Sequence, residues 1–568
     1  KLYAQMQEES IYPDEWTFVA CVQACASLAV KEESTRLISL EIGRALHADA
    51  RRKGFEARIY VSNTLISMYG KCGNIPAAEN VFRGMLEHDT ISWNALLSVY
   101  VEQGLENLAL QFYLQMHIEG LVPDVMGLAT ALHVCGDSVD SEEPFVLEGS
   151  STKYIFLKIG RALHADALLK GFDSNMFLRS TLISMYSRCG KIIEAENVFL
   201  MAPKQDVVLC NVMLSAYLEH RQKKMSLQLY RLMQEQSFYL DDERTIVLAL
   251  KACCLDAEDL IEGKINVESC LEIGQAVHTH AWRKGFTSNI FVACALISMY
   301  SRCGYMLKAE YVFEKITKRN VVAWNTMLSA YLERGEGWKT LQLYREMQLE
   351  GVKPDQQTLV TALQACCTLA ENGTAEKAGK PMKKIVLEVG QALHVDAMNI
   401  KGASTDAFVG GALVTMYGNC DAVHEAEATF DSLLEHNLVI WNAMICIYVE
   451  QNNYEKAIYL YVQMIKDDHM INDVTLVCIL QAFIGTGSLV ACYQIHFIIV
   501  LGENYSCPLL STSLIHAYGS SGCMTDAEAI FNGLFQPDVV SWSSCIAGFG
   551  REGNYEASIQ FLEEMNIE

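Results

Sequence analysis

At 568 residues the chain is too long for one hydrophobic core, so it must be several domains or a repeat array. Its 51% apolar content excludes disorder, and sparse glycine and proline exclude a collagen-like or linker-rich chain. A formal net charge of −24 makes nucleic acid a poor default partner. The 20 cysteines, with Cys253-Cys254 and Cys366-Cys367 inside apolar stretches, read as reduced, buried thiols rather than a secreted disulfide framework.

The chain opens on "KLYAQMQEES" and both ends fall in mid-pattern, which reads as a fragment without a targeting segment. One marker, "ALHADA", stands at 45–50 and returns at 162–167, 276–281, 392–397 and, weakly, 494–499. A second, "MYGKCG" at 68–73, returns at 185, 299, 416 and 517, in steps of 117, 114, 117 and 101 residues. A third, "SWNALLSVY" at 92–100, keeps those steps. Three different sub-repeats therefore alternate in fixed order. The uncharged run Val474–Leu501 is long enough for a membrane span, but "GTGS" at 485–488 divides it into two predicted buried helices.

Each sub-repeat reads as a helical hairpin. In residues 59–89, Val61, Leu65, Met68 and Tyr69 recur at helical spacing. Gly73 suits a left-handed C′ position, Asn74 an N-cap and Pro76 a first turn. Ala78, Val81, Phe82 and Met85 then form one apolar stripe, as do Ala109, Phe112, Tyr113 and Met116 in the next unit. A hairpin this short buries its stripe only by stacking, so the expected fold is an all-α, right-handed superhelical solenoid of helix-turn-helix repeats. The cysteine of "MYGKCG" closes a first helix. It survives as Cys420 in the fourth copy and becomes Ser521 in the fifth, the behaviour of a structural residue rather than a metal ligand or nucleophile.

The pattern resembles the pentatricopeptide repeat family, in its plant P-L-S subclass. Units opening "SWNALLSVY" and closing "GLVPD" or "GVKPD" look like P type; "TFVACVQACASL…LEIGRALHADARRKGF" looks like L type; 31-residue units with "MYGKCG" look like S type. On that reading a partial P unit (1–14) precedes L, S and P units at 15–58, 59–89, 90–124; 125–175, 176–206, 207–241; 242–289, 290–320, 321–355; and 356–406, 407–437, 438–472. L (473–507), S (508–538) and a partial P unit (539–568) follow. The register between Asp241 and Asp242 stays open by one residue. The first four L units exceed the family's length through insertions such as 31–36, 136–151 and 370–384, expected as loops between the two helices.

The resemblance implies recognition of single-stranded RNA, one base per P or S unit. The readers are the unit's fifth and last residues. They are Asn63/Asp89, Asn94/Asp124, Ser180/Asp206, Asn211/Asp241, Cys294/Asn320, Asn325/Asp355, Gly411/Asn437, Asn442/Asn472, Thr512/Asp538, and Ser543 alone. An Asn amide suits a pyrimidine edge and a hydroxyl leaves room for a purine, so the implied target is UUNGUNNUNNCNGR. The second residues, Tyr60, Ile91, Phe177, Val208, Phe291, Val322, Phe408, Val439, Leu509 and Val540, would sandwich bases unless they are core. Lys71, Arg188 and Arg302, at the ends of S-unit first helices, are the phosphate candidates, whereas P units carry Glu102, Glu219, Glu333 and Glu450 there. Val19, Ala129, Val360 and Val477 occupy the fifth place in L units and offer no base readout. A cap would explain Asp124, but the Asn that follows Trp inside a helix is expected to mean something beyond fold.

No enzyme is expected. A nucleobase deaminase needs His-x-Glu with Pro-Cys-x-x-Cys; His117-Ile118-Glu119 has only the first spacing, and no Cys-x-x-Cys occurs. The "HAD" triplets at 47–49 and 164–166 read as repeat residues rather than acid/base pairs. No cofactor, metal, membrane or small-molecule substrate is expected. Single-stranded organellar RNA and editing-complex proteins are the expected partners, in a mitochondrion or chloroplast. The competing reading is a protein-binding helical scaffold of tetratricopeptide type, which the acidic charge favours.

Overall fold

A computed structural model describes residues 2–9, 11–31, 33–138, 152–235, 242–254, 267–371, 376–377, 380–400, 406–433, 435–467, 469, 471–501, 508–534 and 537–565. It divides into two compact units, Lys1–Ala295 and Leu296–Glu568, the division falling inside the helix Ile290–Arg302. Both are helical. Strand geometry among the described residues is limited to a two-residue ladder, Glu376–Lys377 against Lys380–Pro381.

Within each unit the helices form two layers. In the first unit, Glu15–Lys31, Ile59–Lys71, Thr90–Glu102, Val125–Asp137, Met176–Arg188, Val207–Glu219 and Glu243–Cys253 pack each on the next. In the second, Val321–Glu333, Gln356–Glu371, Ala407–Asn419, Leu438–Glu450, Asp473–Thr486, Pro508–Ser520 and Val539–Glu552 do the same. Away from the helix Ile290–Arg302, which the division crosses, the second helix of each hairpin packs on its own first helix and on the next, so the core is a continuous seam within each unit, the solenoid that the apolar stripes require.

The motif "SMYGKCG" is accounted for residue by residue. Met68 and Met185 lie where a Cβ on Gly43 or Gly160 would stand, 2.5 and 2.6 Å from the sulfur, so the "IGRALH" glycines let two helices approach closely. Tyr69, Tyr186, Tyr417 and Tyr518 bond through OH to Nδ1 of His47, His164, His394 and His496 at 2.8–2.9 Å. Cys72 and Cys189 pack their sulfurs 3.8 and 3.9 Å from Met68 and Met185. Gly73 and Gly190 take φ of +75° and +73°, and Asn74 caps the next helix by accepting from Ala77 N–H. Among the described residues no cysteine is in a disulfide and no group of three or more His, Cys, Asp or Glu could hold a metal ion. The third marker has its own bond: Tyr100, Tyr331 and Tyr448 donate to Glu79, Glu310 and Glu427 of the preceding S unit at 2.7–2.9 Å.

The histidine bonds carry a pH dependence. Burial lowers the pKa of His164, His394 and His496, helped at His164 by the charge of Arg179 and opposed at His496 by Asp526. The unfolded chain therefore binds protons more readily. The contribution of these groups is complete above the ordinary histidine value of about 6.5 and is lost as pH falls below it toward the lowered folded values. The melting temperature should drop between about pH 7 and pH 5, and drop less in a variant carrying His164→Gln, His394→Gln and His496→Gln.

Two expectations about connections change. "KEESTR" is not a loop: apart from residue 32 it lies in Glu15–Lys31 and Glu33–Arg52, so the insertion lengthens a helix to 20 residues. Helix-forming Glu, Lys and Arg at these positions favour that outcome. The insertion at 370–384 likewise begins and ends in helix, at Glu371 and from Met382. Most of 136–151 lies outside the described residues. The run 474–501 forms two helices, Asp473–Thr486 and Leu489–Leu501, turning at Gly487 with φ +67°. No described helix is long and apolar enough to cross a membrane.

Candidate nucleic-acid interface

Among the described residues, the last residue of each S and P unit caps the first helix of the next. Asp89, Asp206, Asn320, Asn437 and Asp538 accept the backbone N–H of Ser92, Leu209, Ala323, Ile440 and Ser541 at 2.7–3.0 Å. Asp124, Asp355 and Asn472 accept from Gly127, Thr358 and Thr475. The short polar side chain does here what the residue type does best, satisfying donors that a helix start leaves bare.

The P-unit asparagines prove to have a role in the fold as well. Asn94 donates its amide N–H to Asp124 at 2.8 Å and Asn325 to Asp355 at 3.0 Å; Asn442 donates to Asn472 at 3.1 Å. Each therefore ties its own helix to the cap of the next, so its recurrence inside a helix does not by itself require a ligand. Asn211 donates at 2.5 Å to Asp242, which also caps its helix; Asp241 lies outside the described residues, so Asp242 is the cap partner of Asn211. Burial disfavours the Asp355 carboxylate, but hydrogen bonds from Asn325 and Thr358 hold its pKa below the usual value.

The S-unit fifth residues behave differently. Asn63 is 9% exposed, and neither its amide nitrogen nor its oxygen has a partner. Ser180, and likewise Ser543 of the last P unit, turns its hydroxyl back to a helix carbonyl, that of Met176 or Val539. Cys294 and Thr512 are half-buried, and Gly411 is buried with Ile440 beside it.

All ten second-position side chains are exposed, from 49% at Val322 to 75% at Phe408. They are not core. Each lies on a first helix, three residues before a fifth position that is buried or half-buried except at Ser543, which is exposed, so each compact unit carries a set of apolar side chains beside the fifth-position residues on its first-helix layer. L units extend it in a way the sequence reading missed: Trp16, Met126 and Val474 are 64%, 55% and 47% exposed, and Trp16 lies 5.7 Å from Tyr60, ring to ring. Equal spacing after each cap was the available signal.

The phosphate candidates are largely engaged. Arg188 pairs with Asp137, and Arg302 with Glu333 at 3.2 Å. Lys71 is half-buried and makes no ion pair among the described residues. Of the P-unit acids, Glu333 thus pairs with an S-unit base, and Glu219 accepts from Ser187 at 2.9 Å. Three further residues escaped the sequence reading: Thr245, Thr358 and Thr475 donate their hydroxyls to the amide oxygens of Asn211, Asn325 and Asn442 at 2.6–2.7 Å. A hydroxyl three residues after a capping Asp or Asn was the signal for them.

Known proteins match along the whole chain. A PPR repeat model matches residues 60–89, 91–121, 179–206, 208–238, 292–321, 511–535 and 540–567, and a PPR repeat family model matches 319–368 and 436–485; together they span about half of the chain. A mitochondrial pentatricopeptide repeat-containing protein of Arabidopsis thaliana is 27% identical over 99% of this chain and 56% of its own length. Another is 28% identical over 100% and 79%, and a chloroplastic one 26% identical over 90% and 58%. The chain spans 56–61% of the length of three such relatives. The crystal structure of maize PPR10 superposes with a TM-score of 0.57 at 16% identity, covering 99% of this chain and 75% of that one. PPR10 in complex with an 18-nt psaJ RNA element superposes equally well, over 98% and 81%. Repeat sequence, helix-hairpin stacking and these matches agree: the chain belongs to the pentatricopeptide repeat family.

Proposed function

We propose that the chain is a P-L-S array that binds single-stranded RNA along its first-helix layers, one nucleotide per P or S unit. It serves as a recognition module for editing or processing of an organellar transcript rather than as a catalyst. The observation that carries this reading is the exposure of all ten apolar second-position side chains, three residues before fifth positions of which eight are polar. A solenoid gains nothing in stability from exposing these groups, whereas bases stack on them at about 1–3 kcal/mol each. PPR10, of the same fold, is described in complex with an RNA element. Two relatives are named mitochondrial and one chloroplastic, which supports an organellar site of action.

Asp242 replaces Asp241 as the partner of Asn211, which leaves the proposed target UUNGUNNUNNCNGR unchanged. With Arg188 and Arg302 already paired, phosphate attraction is weak and base contacts dominate. Affinity should therefore fall only modestly between about 50 and 200 mM salt, by less than the ~10³-fold expected of a protein with six or more phosphate contacts. A gel-shift series on that RNA should show weakening when either guanine is replaced. Indifference to those swaps removes the register, and failure to select any sequence from a randomised RNA pool favours the protein-binding scaffold that the charge of −24 suggests.

A further inference from the structure

We propose that the third residue of the helix after each P unit is a positioning residue that fixes how the preceding Asn amide faces RNA, and that Gly127 releases this restraint at Asn94. The inference rests on the RNA reading above. An Asn side-chain amide turns about a broad, nearly two-fold torsion, and its two ends offer opposite chemistry. In three P units both ends are tied: nitrogen to Asp242, Asp355 or Asn472, and oxygen to the hydroxyl of Thr245, Thr358 or Thr475. Only the outer N–H is then left for a base. Such a unit presents a donor from the amide and, in two of the three, an acceptor from the carboxylate, a pair that suits the O and N3–H of uracil.

The unit 90–124 departs from this pattern. Gly127 stands where the others have threonine, and the amide oxygen of Asn94 is buried without a partner. It occupies the space of the missing side chain, since a Cβ on Gly127 would come within 2.6 Å of it. Asp124 alone holds this amide, at its nitrogen. Swinging the oxygen out to accept the exocyclic amine of cytosine breaks only the bond from the amide nitrogen to Asp124, whereas the same turn in the other three units breaks two. Unit 90–124 therefore accepts either pyrimidine, whereas unit 321–355, with the same Asn and Asp, insists on uracil.

The test is a set of equilibrium titrations of the whole chain with the target RNA, uracil against cytosine at the nucleotide facing each of these two units. Expected is a discrimination about fivefold greater at unit 321–355 than at unit 90–124, the worth of about one net hydrogen bond. Gly127→Thr should raise discrimination at its unit to that level. Thr358→Val should lower it at its own unit, and Thr358→Ser should restore it. A merely structural role would lower affinity for both RNAs equally and leave the ratios unmoved, which overturns the inference while the RNA reading stands. Equal discrimination at the two units of the unsubstituted chain also overturns it. Absence of RNA binding, or of any base preference, overturns the RNA reading itself.

Discussion

Replacing Tyr60, Phe177, Phe291 and Phe408 together by alanine is expected to weaken RNA binding about 10³-fold or more while leaving the helical melt unchanged. The size follows from about 1 kcal/mol of lost stacking per site, the lower end of the usual range, summed over four sites too far apart to compensate for one another. The intact fold follows from burial. These rings are 54–75% exposed, so truncation opens no cavity and removes little apolar contact. The contrast between S and P units sharpens the test. P units carry Ile91, Val208, Val322 and Val439 at the same place, and alanine there removes two or three methyl groups rather than a ring face. Filter binding on the single variants should thus rank Phe408→Ala, about fivefold, well above Val439→Ala. Unchanged affinity in the fourfold variant would mean that the stripe faces something other than bases.

How much of this could be read from the sequence varies by residue. The hairpins were legible because helical periodicity, Gly73 and Asn74 each specify local geometry, and the structure places all three as expected. The burial of Cys72 and Cys189 was legible as well, because a residue that is repeated and then dropped serves packing. What a sequence pattern does not carry is contact between units. "IGRALH" and "SMYGKCG" sit in different units, and only the fold reveals that the glycine of one seats the methionine of the other while its histidine meets the tyrosine. The Asn after Trp points to a ligand in the sequence alone for the same reason. Its cap partner lies 30 residues on, at Asp124 or Asp355, beyond any local window. The pairing of Arg302 with Glu333 is likewise hidden in the sequence, because the two residues lie 31 positions apart. The polarity of "KEESTR" suggests a loop, although its residues are mostly good helix formers.

The largest stability loss is expected for Trp324→Ala, about 3–5 kcal/mol. Trp324 is 1% exposed, edge-on to Phe313 at 5.0 Å, and the Arg319 guanidinium lies 5.7 Å from its ring. Trp93 and Trp441 repeat the arrangement, with His88 and His436 in place of Arg319. All three indole N–H groups are buried without a partner, so the tryptophan is kept for its volume and not for a hydrogen bond. Trp324→Phe should therefore cost much less than Trp324→Ala, because it gives up part of the volume and also removes the orphan donor. The loss should also be local. In a stacked array each hairpin is supported mainly by its neighbours, so a cavity at Trp324 loosens Met306–Lys315, Val321–Glu333 and Gly337–Leu349 before anything further along. Amide hydrogen exchange should accelerate in those three helices and hold steady in Val539–Glu552. Uniform acceleration throughout the second unit would mean that its hairpins melt as one cooperative block, in which case a base-reading unit could not be altered without disturbing the rest.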